Sequence, residues 1–273
     1  MLECQHLLAK PLMEDQKTPF SDYQWIETDD GSLTLFSKLY QENCHSQAGA
    51  HLETQLHYIE GCQIESLYQN LDSFTLLEVG LGTGLGLDLT LQTLARYPLR
   101  PAKLISTEID ETLVEFLIKN SPFSFFKSLV KKGNHYFGEE HQIKIIILIG
   151  DARRTVPDYF QEQSLKVDAI YQDAFSPRRN PDLWTVEWFK DLQKISSSHV
   201  KMSTYSASSS ARKSMIEAGW IIQNGPKFGQ KRSSTRASLQ GVSDQQILDH
   251  LGRSPVSAIT DASIPNFSQG NSL

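Results

Sequence analysis

Glu78-Val79-Gly80-Leu81-Gly82-Thr83-Gly84-Leu85-Gly86 sets glycines at alternate positions behind a carboxylate. Glycines in such a loop let the backbone approach a ligand closely and adopt positive φ. Their spacing discriminates between ligands. A dinucleotide site calls for G-x-G-x-x-G; counted from Gly80 or from Gly82, the last glycine is replaced by Leu85 or Leu87. A G-K-[ST] phosphate loop is also absent. Three more acids follow apolar runs: Glu108 in Thr107-Glu108-Ile109-Asp110, Asp151 in Gly150-Asp151-Ala152-Arg153, and Asp173 in Tyr171-Gln172-Asp173-Ala174. An acid at the end of the strand after a glycine loop can accept hydrogen bonds from both hydroxyls of a ribose. Glu108 occupies that strand end, whereas Asp110 is placed to cap the next helix. Asp151 is equally open to an N-cap reading.

These residues need a scaffold that brings strand ends together, and the chain alternates strand and helix from Phe74 onward. Leu76 to Val79, Lys103 to Thr107, Ile143 to Ile149 and Val167 to Tyr171 read as strands, the third apolar almost throughout, as a strand buried on both faces does. Leu87 to Tyr97, Glu111 to Lys119 and Pro181 to Ile195 read as helices, the last with proline just inside its start. His199 to Thr204, Ala207 to Ala218 and Trp220 to Gln223 continue the alternation. The pattern predicts an α/β fold, a doubly wound and mostly parallel sheet over residues 71–240. Residues 1–70 read as a small N-terminal extension, with a hairpin around Asp29-Asp30-Gly31-Ser32 and a helix over 48–59. Residues 241–273, rich in Ser, Asp and Gly, read as a polar, mobile tail.

Cys4, Cys44 and Cys62 form no C-x-x-C pair, and their odd number argues for reduced structural thiols. The histidines show no metal-ligand spacing, so no metal is expected. No apolar run approaches the roughly 18 residues of a membrane span, and the N-terminus lacks a basic flank followed by an apolar stretch. A cytoplasmic location without membrane attachment is the expectation. The net charge of −6 disfavours a general nucleic-acid binder. Its distribution is uneven: Lys201, Arg212, Lys213, Lys227, Lys231, Arg232 and Arg236 face a single acid, Glu217, between Lys201 and Gln240. That segment can meet a polyanion or form an ordinary solvated face.

The glycine loop, E-x-G-x-G-x-G, resembles the first motif of class I methyltransferases, which holds the amino-acid end of S-adenosyl-L-methionine. Asp173-Ala174-Phe175-Ser176-Pro177, followed by Asn180-Pro181 and Leu183-Trp184, resembles the methyltransferase part of MnmC, the bacterial tRNA wobble-uridine modification family, and its stand-alone relatives. Ser203-Thr204-Tyr205-Ser206, the helix from Arg212 to Gly219 and Phe228-Gly229-Gln230-Lys231-Arg232 extend the likeness, which spans roughly 28–240. The resemblance implies a class I methyltransferase fold and S-adenosyl-L-methionine as cofactor. The expected cofactor residues are Glu78, Gly80, Gly82, Gly84, Glu108, Asp151, Ala152 and Asp173, with Asp151 and Ala152 at the adenine. It implies methyl transfer to the aminomethyl nitrogen of 5-aminomethyl-2-thiouridine in the tRNA anticodon stem-loop. MnmC's flavin-dependent oxidoreductase domain is not expected in so short a chain, so a separate enzyme would supply the aminomethyl nucleoside. Overall acidity and Gln172 before the aspartate are departures.

Asp173 is the expected catalytic residue, orienting the acceptor amine. Phe175 can stack on a flipped-out uracil or pack in the core. Pro177, Arg178, Lys227, Lys231 and Arg232 are the expected RNA contacts, while Trp184 and Trp188, four apart on one helix, read as core. Two other readings compete: a small-molecule methyltransferase or aminopropyl transferase on the same fold, and a non-catalytic RNA-binding relative. The intact glycine loop disfavours the latter.

Overall fold

The computed structural model describes residues 23–38, 40–229 and 233–265. Strands β1 (Trp25–Glu27), β2 (Leu33–Ser37) and β3 (Glu42–Asn43) form a small antiparallel sheet. The β1–β2 hairpin turns at 29–32, as its turn residues predict, and pairs Trp25 with Leu35. Asp30 fastens that turn: it accepts from Thr28 Oγ1 at 2.8 Å, from the Ser32 amide at 3.0 Å and from the Leu52 amide at 3.2 Å. Burial alone would raise its pKa, but the bonds from Ser32 and Thr28 outweigh this and bring it to about 2.

Where one helix over 48–59 is expected, a short α1 (Ala50–Thr54) runs into a π-helical turn (Gln55–Ile59). A π turn amounts to a local insertion and is common near functional sites. Gly61 lets it dock, because a β-carbon there would collide with the His57 carbonyl and with Ser203 Oγ. The Ser203 hydroxyl donates to that carbonyl. Tyr58 thereby lies buried, 2% exposed, beneath the main sheet's edge. Helix α2 (Ile64–Asn70) completes this layer.

The main sheet contains β4 (Phe74–Val79), β5 (Ala102–Glu108), β6 (Val130–Lys132), β7 (His135–Glu140), β8 (Ile143–Ile149), β9 (Val167–Gln172), β10 (Ser196–Thr204), β11 (Ile221–Asn224) and β12 (Thr235–Ser238). Their order is β11-β12-β10-β9-β4-β5-β8-β7-β6. The run β10-β9-β4-β5-β8 is parallel, and β12 is antiparallel to β10. The β6–β7 hairpin extends the sheet antiparallel to β8. Helices α3 (Leu85–Leu94), α4 (Glu111–Asn120), α5 (Ala152–Gln163), α6 (Val186–Ile195) and α7 (Ser209–Glu217) connect the strands, and α8 (Gln245–Arg253) follows them. Strand side chains alternate between two cores. Leu76, Leu104, Ile145 and Tyr171 pack with α2, α3 and α4, while Leu77, Ile105, Ile146 and Ile170 pack with α5, α6 and α7. This is the doubly wound, mostly parallel sheet that the alternation predicts. Trp184 and Trp188 are fully buried in the second core.

Two expectations change. The helix expected over Pro181–Ile195 divides into a 3-10 turn (Pro181–Trp184) and α6, because Thr185 leaves the helical conformation to cap α6, accepting from the Trp188 amide at 3.1 Å. The segment after Gly241, expected to be mobile, docks on the second core through residue 265. Asp244 caps α8, and α8 buries Ile247 and Leu251. Farther on, the Ile259 carbonyl accepts from the Val186 amide at 2.8 Å and its amide donates to Ser214 Oγ at 2.9 Å, and Asp261 accepts from both terminal guanidinium nitrogens of Arg153 at 2.7 and 2.6 Å. Polar composition conceals this docking, since two apolar residues four apart suffice to anchor a short helix. Among the described residues no helix is long and apolar enough to cross a membrane, and no group of three or more His, Cys, Asp or Glu could hold a metal ion.

Candidate active site

The carboxyl ends of β4, β5, β8 and β9 meet at one edge, where ligands bind in open α/β sheets. Gly80, Gly82 and Gly84 all have positive φ, at 99°, 53° and 83°. The Leu81 amide donates to the Thr107 carbonyl at 2.9 Å and the Gly80 amide to Thr107 Oγ1 at 3.1 Å, which ties the loop to β5. It is tied to β9 as well: the Asp173 amide donates to the Val79 carbonyl at 3.1 Å. A β-carbon at Gly80 would lie 2.9 Å from the Asp173 carbonyl oxygen, so only glycine admits this approach. Glu78, expected among the cofactor residues, lies at the base of the loop. It is 2% exposed and lies beneath the loop, accepting from Ser106 Oγ at 2.7 Å, with its carboxylate against Gly86. Burial pushes its pKa well above the ordinary carboxylate range, and the Ser106 bond opposes this.

Glu108 ends β5 as predicted. It accepts from the Asp110 amide at 2.9 Å, and the Ile109 and Gly82 amides also point to it. Burial, resisted by the Asp110 amide, still raises its pKa to about 7. Asp110 caps α4 through the Thr112 and Leu113 amides, at 3.0 and 3.3 Å. Asp151 adopts the N-cap arrangement on α5, accepting from the Arg153 amide at 2.9 Å; its side chain is exposed at the same edge, and Ala152 beside it is buried.

Asp173 stands at the centre of groups of which Tyr40, Glu42 and Tyr58 lie outside every motif. Tyr58 donates to its Oδ1. Burial, then the charge of Asp173, pushes the Tyr58 phenol well above its ordinary pKa, and the same two causes act on Tyr205. Tyr205 donates to the Ala174 carbonyl at 2.9 Å. Glu42 of β3 holds the following turn, accepting from Ser176 Oγ at 2.7 Å and from its amide at 3.2 Å. Phe175 stacks on Tyr40, with ring centroids 4.4 Å apart and 24° between planes, so the half-buried ring both packs and reaches the surface. Burial, followed by the charges of Glu108, Asp182 and Asp151, drives the Tyr40 phenol up to about 12. Gln172, the unexpected residue before Asp173, is fully buried and bridges the Leu183 carbonyl at 2.8 Å and Trp188 Nε1 at 3.2 Å. It therefore braces the loop from behind.

Of the expected RNA contacts, Pro177 and Arg178 lie on the rim beside Tyr205, and Lys227 is exposed on the loop after β11. Phe228 of that loop packs edge-on against His57, with centroids 6.0 Å apart, which brings the loop to the π turn below Asp173. Lys231 and Arg232 lie outside the described residues.

The donor set fits S-adenosyl-L-methionine: a loop with no side chain at three positions, a carboxylate held by backbone amides at the next strand end, and an acidic floor suited to a cationic ligand. A family model described as S-adenosyl-L-methionine-dependent methyltransferase matches residues 111–240, including Asp151 and Asp173. The tRNA 5-methylaminomethyl-2-thiouridine biosynthesis bifunctional protein MnmC of Paraburkholderia phymatum is 30% identical, over 73% of this chain and 32% of its own length. Its namesake in Polaromonas naphthalenivorans is 25% identical, over 80% of this chain and 36% of its own length. The chain thus spans about a third of these relatives. The crystal structure of MnmC2 from Aquifex aeolicus superposes with a TM-score of 0.73 at 29% identity, covering 87% of this chain and 78% of that one. Residues 111–240 match the S-adenosyl-L-methionine-dependent methyltransferases, and the chain is similar to MnmC and MnmC2 over most of its length.

Proposed function

We propose that this chain methylates the aminomethyl nitrogen of 5-aminomethyl-2-thiouridine at the wobble position of tRNA. The observation that carries this reading is the interlock of Asp173 with the glycine loop, within a chain similar to MnmC and MnmC2. When bound, S-adenosyl-L-methionine supplies an activated methyl group. The Gly80, Gly82 and Gly84 backbone would hold its amino-acid end, Glu108 its ribose, and Asp151 with Ala152 its adenine. Glu78 would act beneath them by shaping the loop.

An alkyl ammonium has a pKa of about 10 and must lose a proton before it can attack. Asp173 is placed to hold this amine and accept its proton. A carboxylate also stabilises the ammonium, so orientation is its larger contribution. The Tyr58 bond occupies Oδ1 and fixes the carboxylate, which favours orienting the amine. Phe175 would stack on the uracil, and Pro177, Arg178, Lys227, Lys231 and Arg232 would meet the anticodon stem-loop. This reading places the enzyme in the cytoplasm and requires a reaction that supplies the aminomethyl nucleoside. Incubation with labelled cofactor and tRNA lacking this methyl group, followed by nucleoside analysis, tests it. Label in 5-methylaminomethyl-2-thiouridine is the expected result; tRNA that remains unlabelled overturns the proposal.

A further inference from the structure

We infer that the groove between the Asp173 loop and the start of α7 is a phosphate-binding subsite built around Arg212. The groove has a volume of about 750 Å³, and its lining includes Arg178, Tyr205, Ser208, Ser210 and Arg212. Arg212 is 6% exposed. Its Nε donates to Thr235 Oγ1 at 2.9 Å, and its Nη2 to Asn224 Oδ1 at 3.0 Å, Ser233 Oγ at 3.3 Å and the Ser234 carbonyl at 2.9 Å. Every one of these acceptors is neutral. Nη1 makes no hydrogen bond, and the guanidinium no ion pair, among the described residues. Asp244 is the carboxylate whose charge Arg212 feels, and it is engaged by Asn224 Nδ2 at 3.0 Å. Buried charges are ordinarily paired. Here the cation is held by neutral groups with one nitrogen left over, and the residue lines a cavity, an arrangement suited to an anion that arrives with the ligand.

The other lining groups suit the same guest. Helix α7 opens without a side-chain cap, which leaves its first amides and its positive end uncapped beside the groove that Ser208 and Ser210 line. There the Ser208 and Ser210 hydroxyls share a hydrogen bond of 2.8 Å, and both can turn to a phosphate oxygen. Arg178 adds an exposed charge on the opposite wall. Tyr205 belongs to both places, lining the groove and donating to the Ala174 carbonyl beside Asp173. A phosphate seated here therefore adjoins the acceptor site. The source of that phosphate, a nucleotide flanking the target base, rests on the tRNA reading; the anion site itself does not.

Ser210→Glu separates the two. A carboxylate in the first turn favours the helix N-terminus, so the fold is retained, while it repels an anion. Inorganic phosphate titrated onto the whole chain and followed by ³¹P NMR is expected to saturate for the parent protein, with affinity at least tenfold weaker for Ser210→Glu. The cofactor-induced thermal shift should be equal in both. A second variant, Arg212→Lys, keeps the charge and loses the fork, and should weaken phosphate severalfold. With tRNA, Ser210→Glu is expected to lower the slope of log affinity against log salt by about 1. Failure of phosphate to saturate the parent protein, or equal phosphate affinity in Ser210→Glu, overturns the subsite. Lost phosphate binding with an unchanged tRNA slope keeps the subsite and assigns it to a small phosphorylated ligand, against the tRNA reading.

Discussion

Tyr58 donates a hydrogen bond to Oδ1 of Asp173 across 115 residues of sequence, joining the π turn of the N-terminal layer to the end of β9. The N-terminal layer is therefore part of the site. Tyr58→Phe should keep the ring contact with Tyr171, at 5.1 Å between centroids, and so leave the packing of the π turn in place. Loss of a hydrogen bond to a charged group costs about 1.5–3 kcal/mol. Single-turnover methyl transfer should accordingly fall by roughly ten- to a hundredfold, with cofactor affinity preserved. An unchanged single-turnover rate would mean that the Tyr58 hydroxyl does not act on Asp173.

Glu108 makes cofactor binding sensitive to pH. Burial raises its pKa to about 7 from the 4.5 of a free glutamate, so the folded apo protein holds a proton that the unfolded chain releases between these values. Stability of the apo protein should therefore decline as pH rises from about 4.5 through 7, by about 1–3 kcal/mol in all. The ionised carboxylate accepts better from two ribose hydroxyls. Cofactor affinity should rise through the same interval and level off above it, with proton release on binding near pH 6. Calorimetry in buffers of different ionisation enthalpy reads that release. Glu108→Gln should abolish it; if proton release persists in that variant, another group is responsible.

The strand ends carrying Gly80, Glu108, Asp151 and Asp173 were legible because each motif is local: an apolar run, then a glycine or an acid, then a helix. The doubly wound sheet follows from the same alternation, and the MnmC likeness from the run at Asp173. Tyr40, Glu42, Tyr58 and Tyr205 were not legible as site residues. They reach the site through topology, and a tyrosine in a half-polar helix carries no mark of its partner. The π turn that places Tyr58 has no pattern distinct from an ordinary helix. Glu78 was legible as part of the loop motif, but its position beneath the loop depends on Ser106 and Gly86 meeting it in space. The docking of α8 escaped a composition-based reading because its anchors are so few.

That docking can be measured. Arg153 and Asp261 form a two-pronged ion pair with side chains 13% and 20% exposed, and Arg153 also donates to Thr185 Oγ1 at 2.8 Å. Removing the acid takes the two-pronged carboxylate from a largely buried guanidinium. Asp261→Ala should lower stability by about 1–3 kcal/mol, which in a chain of this size is roughly 2–4 °C of Tm per kcal/mol. Amide exchange in α8 should quicken alongside. An unchanged Tm would show that this segment contributes little to holding the fold.

The chemistry itself is tested by Asp173→Ala on tRNA bearing 5-aminomethyl-2-thiouridine. Single-turnover rates at saturating cofactor should be read alongside tRNA affinity by filter binding. Loss of a group that orients the amine and accepts its proton should slow methyl transfer by about a hundred- to ten-thousandfold. Affinity for tRNA should stay within about twofold, because phosphate contacts supply most of it. Methyl transfer to tRNA at the parent rate in Asp173→Ala would contradict the placement of the reaction at this residue.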